Sequence, residues 1–289
     1  MFSTGKLLSK ALYVVGIVAI FLAVYSQYFV PLKQYIPLGP ATGYVVVYGI
    51  PVVVVTLIFG REIFSRAAKN SKSGFKYGLG LFGALTVVSF FLAFIALAII
   101  LQFDPQAANL LNKPNPVLNV PPQQAWILIA VSLLIVGPAE EYLFRGFMYG
   151  GLLNITKGKH WLPLALISSV MFASVHAYYA VTYGVASSVV FIELIAFGVA
   201  MAVTYYWTGG NLIAAIVIHG LYDATGFLGV ATTTLIGGIA RGILIAVGVA
   251  FAAIYLPSKI RLTPAPQTPA EQTPAPNEPV PSGGEPEKQ

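Results

Sequence analysis

Apolar residues dominate the chain in long runs, separated by short polar segments rich in lysine and arginine. About 20 apolar residues, at 1.5 Å each along a helix, cover the roughly 30 Å of a bilayer's hydrocarbon. Eight stretches qualify, over 11–30, 42–60, 79–102, 124–152, 162–180, 185–207, 211–230 and 232–256. The fourth is long and interrupted near Gly137 and Pro138. The pattern predicts an all-α integral membrane protein of about eight transmembrane helices. Backbone freed by the Gly137–Pro138 interruption is tolerated at membrane depth only if it is buried in protein or faces water. A polar intramembrane cavity beside it meets that condition.

Composition narrows the class without changing it. Hydrophobic residues make up 57% of the chain and charged residues 9%, with a mean hydropathy of +0.80, which excludes a water-facing globule. The formal net charge of +6 invites comparison with nucleic-acid binders, but most of the cations lie in the short loops, where they act as topology signals and contacts to anionic lipid. No nucleic-acid partner is expected. With a cytoplasmic N-terminus, the inside segments hold Lys6, Lys10, Arg61, Arg66, Lys69, Lys72, Lys76, Lys157, Lys159, Lys259 and Arg261. The outside loops then hold only Lys33 and Lys113, so the charge bias predicts both termini in the cytoplasm. The first apolar run is too long and too aromatic for a cleaved leader and reads as an anchor. The chain has no cysteine, so disulfides and thiolate chemistry play no part. Residues 1–261 read as one transmembrane domain and 262–289 as a disordered Pro-rich tail.

Against this background Glu140, Glu141, Arg145, Glu193, Asp223 and Arg241 fall inside apolar runs. An ionisable group at the centre of a membrane helix costs roughly 2.5 to 3.5 kcal/mol even on the most lenient scale, so each needs a partner and, by default, a function. Glu141 and Arg145 are four apart and share a helix face, while Glu140 points about 100° away from Glu141. The acid and base can neutralise each other, leaving Glu140 to face a cavity as a general base. Phe172 and His176 share a face of the fifth run, and His219 and Asp223 a face of the seventh. The latter pair suits either a metal ion or a developing oxyanion.

Three motifs, Glu140-Glu141-Tyr142-Leu143-Phe144-Arg145, Phe172-Ala173-Ser174-Val175-His176 and His219-Gly220-Leu221-Tyr222-Asp223, stand in that order on separate runs. Together they resemble the signature of the intramembrane CAAX-processing and bacteriocin-processing proteases (the CPBP or ABI family), which include the Rce1-type prenyl-protein endopeptidases. The resemblance covers about residues 125–230. It implies an eight-helix membrane core with a cavity open to the cytoplasm and the bilayer, cleaving a peptide bond near the C-terminus of a prenylated or otherwise membrane-tethered substrate. By motif, Glu140 and His176 activate the attacking water and His219 with Asp223 hold the oxyanion or that water. Glu141, Arg145 and Phe172 support them. The family's chemistry has been read as metal-assisted, with a divalent ion such as zinc on Glu140, His176, His219 and Asp223, and also as metal-free; the sequence leaves both open. Asp223 stands where the Rce1-type enzymes carry Asn.

Blander readings compete. Glu140, Glu141 and Arg145 can form an ion-pair knot that staples helices, His176 a bridging hydrogen bond, and Phe172 a packing wall. Glu193 and Arg241 belong to no motif and read as a structural pair, or Glu193 as cavity lining. Gly146 and Gly150 read as sites of close helix contact, and His160 as solvated surface. At the level of function, the alternatives are a proton-coupled transporter or channel and a non-catalytic membrane scaffold or immunity protein. Gly-x-Ser-x-Gly and His-Glu-x-x-His are absent from the sequence, which removes the residues for two other hydrolase classes.

Overall fold

The computed structural model describes residues 7–26, 40–59 and 71–259. Among these residues the regular elements are all helical. The principal ones are α1 (Leu7–Ser26), α2 (Pro40–Phe59), α3 (Ser71–Phe103), α4 (Pro122–Ile155), α5 (Trp161–Ser174), α6 (Ser187–Trp207), α7 (Leu212–Ala231) and α8 (Thr234–Lys259). The Pro-rich tail over 262–289 and most of the basic segment between α2 and α3 lie outside the described residues.

Five helical stretches are long and apolar enough to cross a membrane: Ser73–Phe103, Pro122–Ile155, Tyr178–Trp207, Leu212–Ala231 and Leu235–Ile254. Lys10–Tyr25, Thr42–Ile58 and Trp161–Ser174 are shorter apolar helices. Among the described residues, five of the eight expected runs thus reach spanning length as helices and three are shorter. The clearest difference is in the fifth run, where α5 stops at Ser174 instead of continuing to 180. Residues 175–177 form a turn, with the His176 N–H donating to Ala173 O at 3.0 Å, and a short helix, Tyr178–Tyr183, follows. The Ser174 hydroxyl donates to Met171 O at 2.7 Å. Such a bond offers the backbone an alternative to continued helix, a competition that polar side chains set up at helix ends.

α7 is the central helix and packs against α3, α4, α6 and α8. It starts cleanly because Gly209 and Gly210, at φ +70° and +83°, make the turn out of α6, and the Asn211 side chain accepts the Ile213 N–H at 3.2 Å as N-cap. α4 and α7 approach at two glycines. A Cβ on Gly137 would meet the Gly220 backbone nitrogen at 2.9 Å, closer than a side-chain carbon is ordinarily found. This contact holds the acidic stretch of α4 directly against His219, one residue before Gly220. Large apolar side chains on α3 (Phe90, Phe91, Phe94) and α8 (Ile239, Ile243) are exposed, as lipid-facing surfaces are. The chain is an integral membrane protein.

α4 is not a uniform helix. Ser132–Val136 and Tyr142–Tyr149 are π-helical, flanking the α-helical Gly137–Glu141. Pro138 has no N–H to donate four residues back, and the widened turn before it, with the Gly137 N–H donating to Ser132 O, absorbs that loss without breaking the helix. The interruption expected at Gly137–Pro138 is thus a widening. Neighbouring hydroxyls brace the second π segment: Tyr13 of α1 donates to Phe147 O at 2.5 Å and Ser168 of α5 to Phe144 O at 3.1 Å. Tyr142 itself shares a 2.9 Å hydrogen bond with Thr56 of α2.

The two ends of the bundle differ. One end gathers the start of α3, where Gly74 meets Asn211, the loop joining α4 to α5, and Tyr13 against Phe147. This is where α1 begins and α8 finishes, since α8 runs antiparallel to α3 (Gly83 against Ile245 and Val249, Gly80 against Phe251). Lys10, Lys76, Lys157 and Lys159 lie here. The other end gathers the segment 104–121, the turn after α5 and the α7–α8 junction, with Lys113 donating to Thr182 O at 3.3 Å.

Candidate active site

At the heart of the bundle, Glu141 is fully buried and its Oε1 takes two donors. Arg145 Nη1 donates at 3.0 Å and His219 Nδ1 at 2.6 Å. The i, i+4 pairing expected for Glu141 and Arg145 is present, but its partner set is wider, because the same carboxylate orients the imidazole of α7. Arg145, also fully buried, donates from Nη2 to Gly198 O on α6 at 3.2 Å and lies 4.5 Å over the Phe172 ring. One guanidinium thus ties α4 to α6 and α5. Glu141 Oε2 and Arg145 Nε have no hydrogen-bond partner among the described residues.

With Nδ1 donating to Glu141, His219 turns Nε2 towards Glu140 Oε2, 3.4 Å away, and Asp223 Oδ2, 3.6 Å away. Glu140 and Glu141 therefore flank opposite edges of one imidazole. Their separation of about 100° on the helix makes this possible. The close Gly137–Gly220 approach brings the ring within reach.

His176 sits in the turn after α5, not on the helix. Its Nδ1 lies 2.9 Å from Phe172 O, one of the carbonyls left without an intrahelical donor at a helix C-terminus. A carbonyl only accepts, so Nδ1 carries the hydrogen and the neutral ring presents a lone pair at Nε2. The Phe-x-x-x-His motif is thus a cap: the phenylalanine supplies the carbonyl, and its ring packs 5.0 Å from the imidazole. Phe172 also meets His219 edge-on at 5.7 Å and Phe144 at 5.4 Å. It is a shared wall between the two histidines and Arg145.

Glu140, His176, His219 and Asp223 line one cavity of about 890 Å³. Sequence reasoning singled out all four but not Tyr44 and Tyr48 of α2, or Tyr178, Tyr179 and Tyr183 after α5, which line it as well. Tyrosines four apart inside an apolar run were the available signal. Glu193, Tyr222 and Arg241 line it too. Glu193 accepts from Tyr222 Oη at 2.5 Å and the Arg241 guanidinium carbon lies 5.1 Å from the centre of the same ring, so the expected Glu193–Arg241 pairing runs through Tyr222. His160 is exposed in the α4–α5 loop. Gly150 is in close contact as expected, against Tyr205 of α6.

The cavity extends from this acidic centre to Asn115–Pro121 and the turn after α5, which belong to the end of the bundle opposite the chain's basic end. The helices alternate in direction, so the start of α1 and the end of α8 lie at the end of the bundle opposite the segment 115–121 that lines the cavity. As to a metal, no group of three or more His, Asp or Glu side chains among the described residues is arranged to hold an ion. His176 Nδ1 is bonded to Phe172 O and His219 Nδ1 to Glu141, which leaves Nε2 of each ring as the atom that would ligate an ion, with Glu140 and Asp223 as the oxygen donors beside it.

Carboxylates are thus gathered on an imidazole at the wall of a cavity inside an integral membrane protein. Residues 122–225, about a third of the chain, match the family model of the type II CAAX prenyl endopeptidase Rce1-like proteins. All three motifs fall inside the matched region. No curated protein and no solved structure matches the chain.

Proposed function

We propose that this protein is an intramembrane endopeptidase that cleaves near the C-terminus of a lipidated or membrane-associated substrate, using water activated by Glu140. The observation that carries the reading is the 3.4 Å approach of Glu140 Oε2 to His219 Nε2 on the wall of a shared cavity. Water held between Glu140 and the His176 lone pair loses a proton to the carboxylate as its oxygen attacks the scissile carbonyl carbon. Charge developing on the carbonyl oxygen is met by a hydrogen carried on His219 Nε2 or on the Asp223 carboxyl and directed at that oxygen. When the carbon–nitrogen bond breaks, Glu140 returns the proton to the leaving amine. Glu141 and Arg145 do not touch the reacting atoms; they fix the tautomer and position of His219. No step is routed through a metal.

The purified full chain, in lipid, is expected to release the C-terminal fragment of a prenylated peptide, read by mass spectrometry. Absence of cleavage together with proton flux through the same vesicles would favour a transporter.

For orientation, the excess of Lys and Arg at the bundle end where α1 begins and α8 finishes supports placing that end in the cytoplasm. The segment 115–121 and the turn after α5 then lie towards the other side of the membrane. The native chain has no cysteine, so single cysteines report sidedness without background. Lys157→Cys is expected to react with an impermeant maleimide only from the cytoplasmic face and Asn119→Cys only from the opposite face. The reverse pattern would invert the orientation.

A further inference from the structure

The cavity has a second polar pole that the cleavage chemistry does not use. Arg241 stands in the first third of α8, an otherwise apolar helix, and outside the region matched by the family model. A guanidinium there carries the cost of an intramembrane charge. Among the described residues no carboxylate lies within ion-pair distance of it: Glu193 is engaged by Tyr222 Oη, and Arg241 is held by the face of the Tyr222 ring. A guanidinium carries five N–H donors in a fixed fork, so contact with Tyr222 leaves donors that match a carboxylate.

Distance sets what such a fork can reach. Ring contacts of 5.4 Å from His219 to Phe197, 5.0 Å from Phe197 to Tyr222 and 5.1 Å from Tyr222 to Arg241 put the two poles no more than about 16 Å apart. An extended peptide advances roughly 3.3 to 3.6 Å per residue, so no more than about five residues are needed to bridge the gap.

We infer that Arg241, presented by Tyr222 and Glu193, binds the terminal carboxylate of the substrate and so sets cleavage within about five residues of the chain end. This rests on the endopeptidase reading above. Arg241 is a specificity-determining residue in this scheme, with no part in bond cleavage. Glu193 adds direction: through Tyr222 it fixes the ring on which the guanidinium lies, and its own negative charge disfavours a carboxylate seated anywhere but on the arginine.

The test uses the full chain and two prenylated peptides of one sequence, one ending in a free carboxylate and one in a carboxamide. The wild type is expected to prefer the acid by about 10- to 100-fold in kcat/KM, the range of a charge-assisted hydrogen bond. In Arg241→Gln the ratio should fall to about one, and in Arg241→Lys it should lie between. A wild type that cleaves acid and amide equally overturns the carboxylate assignment and leaves the endopeptidase standing. So does an Arg241→Gln variant that slows both peptides while keeping the wild-type ratio, the signature of a helix staple. Failure of the wild type to cleave either peptide overturns both readings.

Discussion

Replacing Glu140 by glutamine is expected to lower kcat by about 10³-fold while leaving the fold intact. Glutamine keeps the shape of the side chain and its place beside His219, but its amide cannot take a proton from water. General-base contributions run from roughly 10² to 10⁴. Because the substitution is isosteric and removes a buried carboxylate from a group of three around His219, the protein should unfold at a temperature no lower than that of the wild type. The measurement is single-turnover cleavage of the prenylated peptide, with thermal unfolding in the same detergent. A Glu140→Gln variant cleaving within tenfold of the wild type would remove Glu140 as the base and return it to the ion-pair knot.

The largest effect on stability is expected at Arg145. Its side chain is fully buried, donates to Glu141 and to Gly198 O, and lies on the Phe172 ring, so Arg145→Leu severs links to two other helices at once. It also strips Glu141 of its cation. Breaking a buried ion pair from one side costs about 3 to 5 kcal/mol, most of it from the charge left behind. The thermal midpoint in detergent should fall accordingly. Adding Glu141→Gln should restore part of the loss, because the stranded charge goes with it. If the double variant is less stable than Arg145→Leu alone, the stranded-charge account is wrong and the arginine acts chiefly through packing.

Much of this architecture is legible in the chain, for identifiable reasons. Helices were predictable because lipid leaves few other options for twenty apolar residues, and the Glu141–Arg145 pair because i, i+4 neighbours share a face. The convergence of Glu140, His176, His219 and Asp223 on one cavity followed from motif order. The end of α5 did not, since Val175-His176-Ala177 contains neither glycine nor proline and the turn becomes apparent only through the hydrogen bonds around it. The π segments of α4 were equally hidden: Pro138 announces a missing donor, but the choice between a break and a widened turn depends on braces from α1 and α5. His219 bonding to Glu141 as well as facing Glu140 needed the Gly137–Gly220 approach, a tertiary fact. Loop charges rank the two ends of the bundle, but they say nothing about which end the cavity joins.

The early stop of α5 bears on the lipid as much as on the protein. Fourteen helical residues measure about 21 Å, well short of the roughly 30 Å of an unperturbed hydrocarbon layer. Lipid that follows the end of such a short helix compresses its acyl chains or lets headgroups and their hydration sink. On the endopeptidase reading proposed above, that would bring a lipid-anchored substrate and water together beside the turn that carries His176, without either crossing the full thickness of the bilayer.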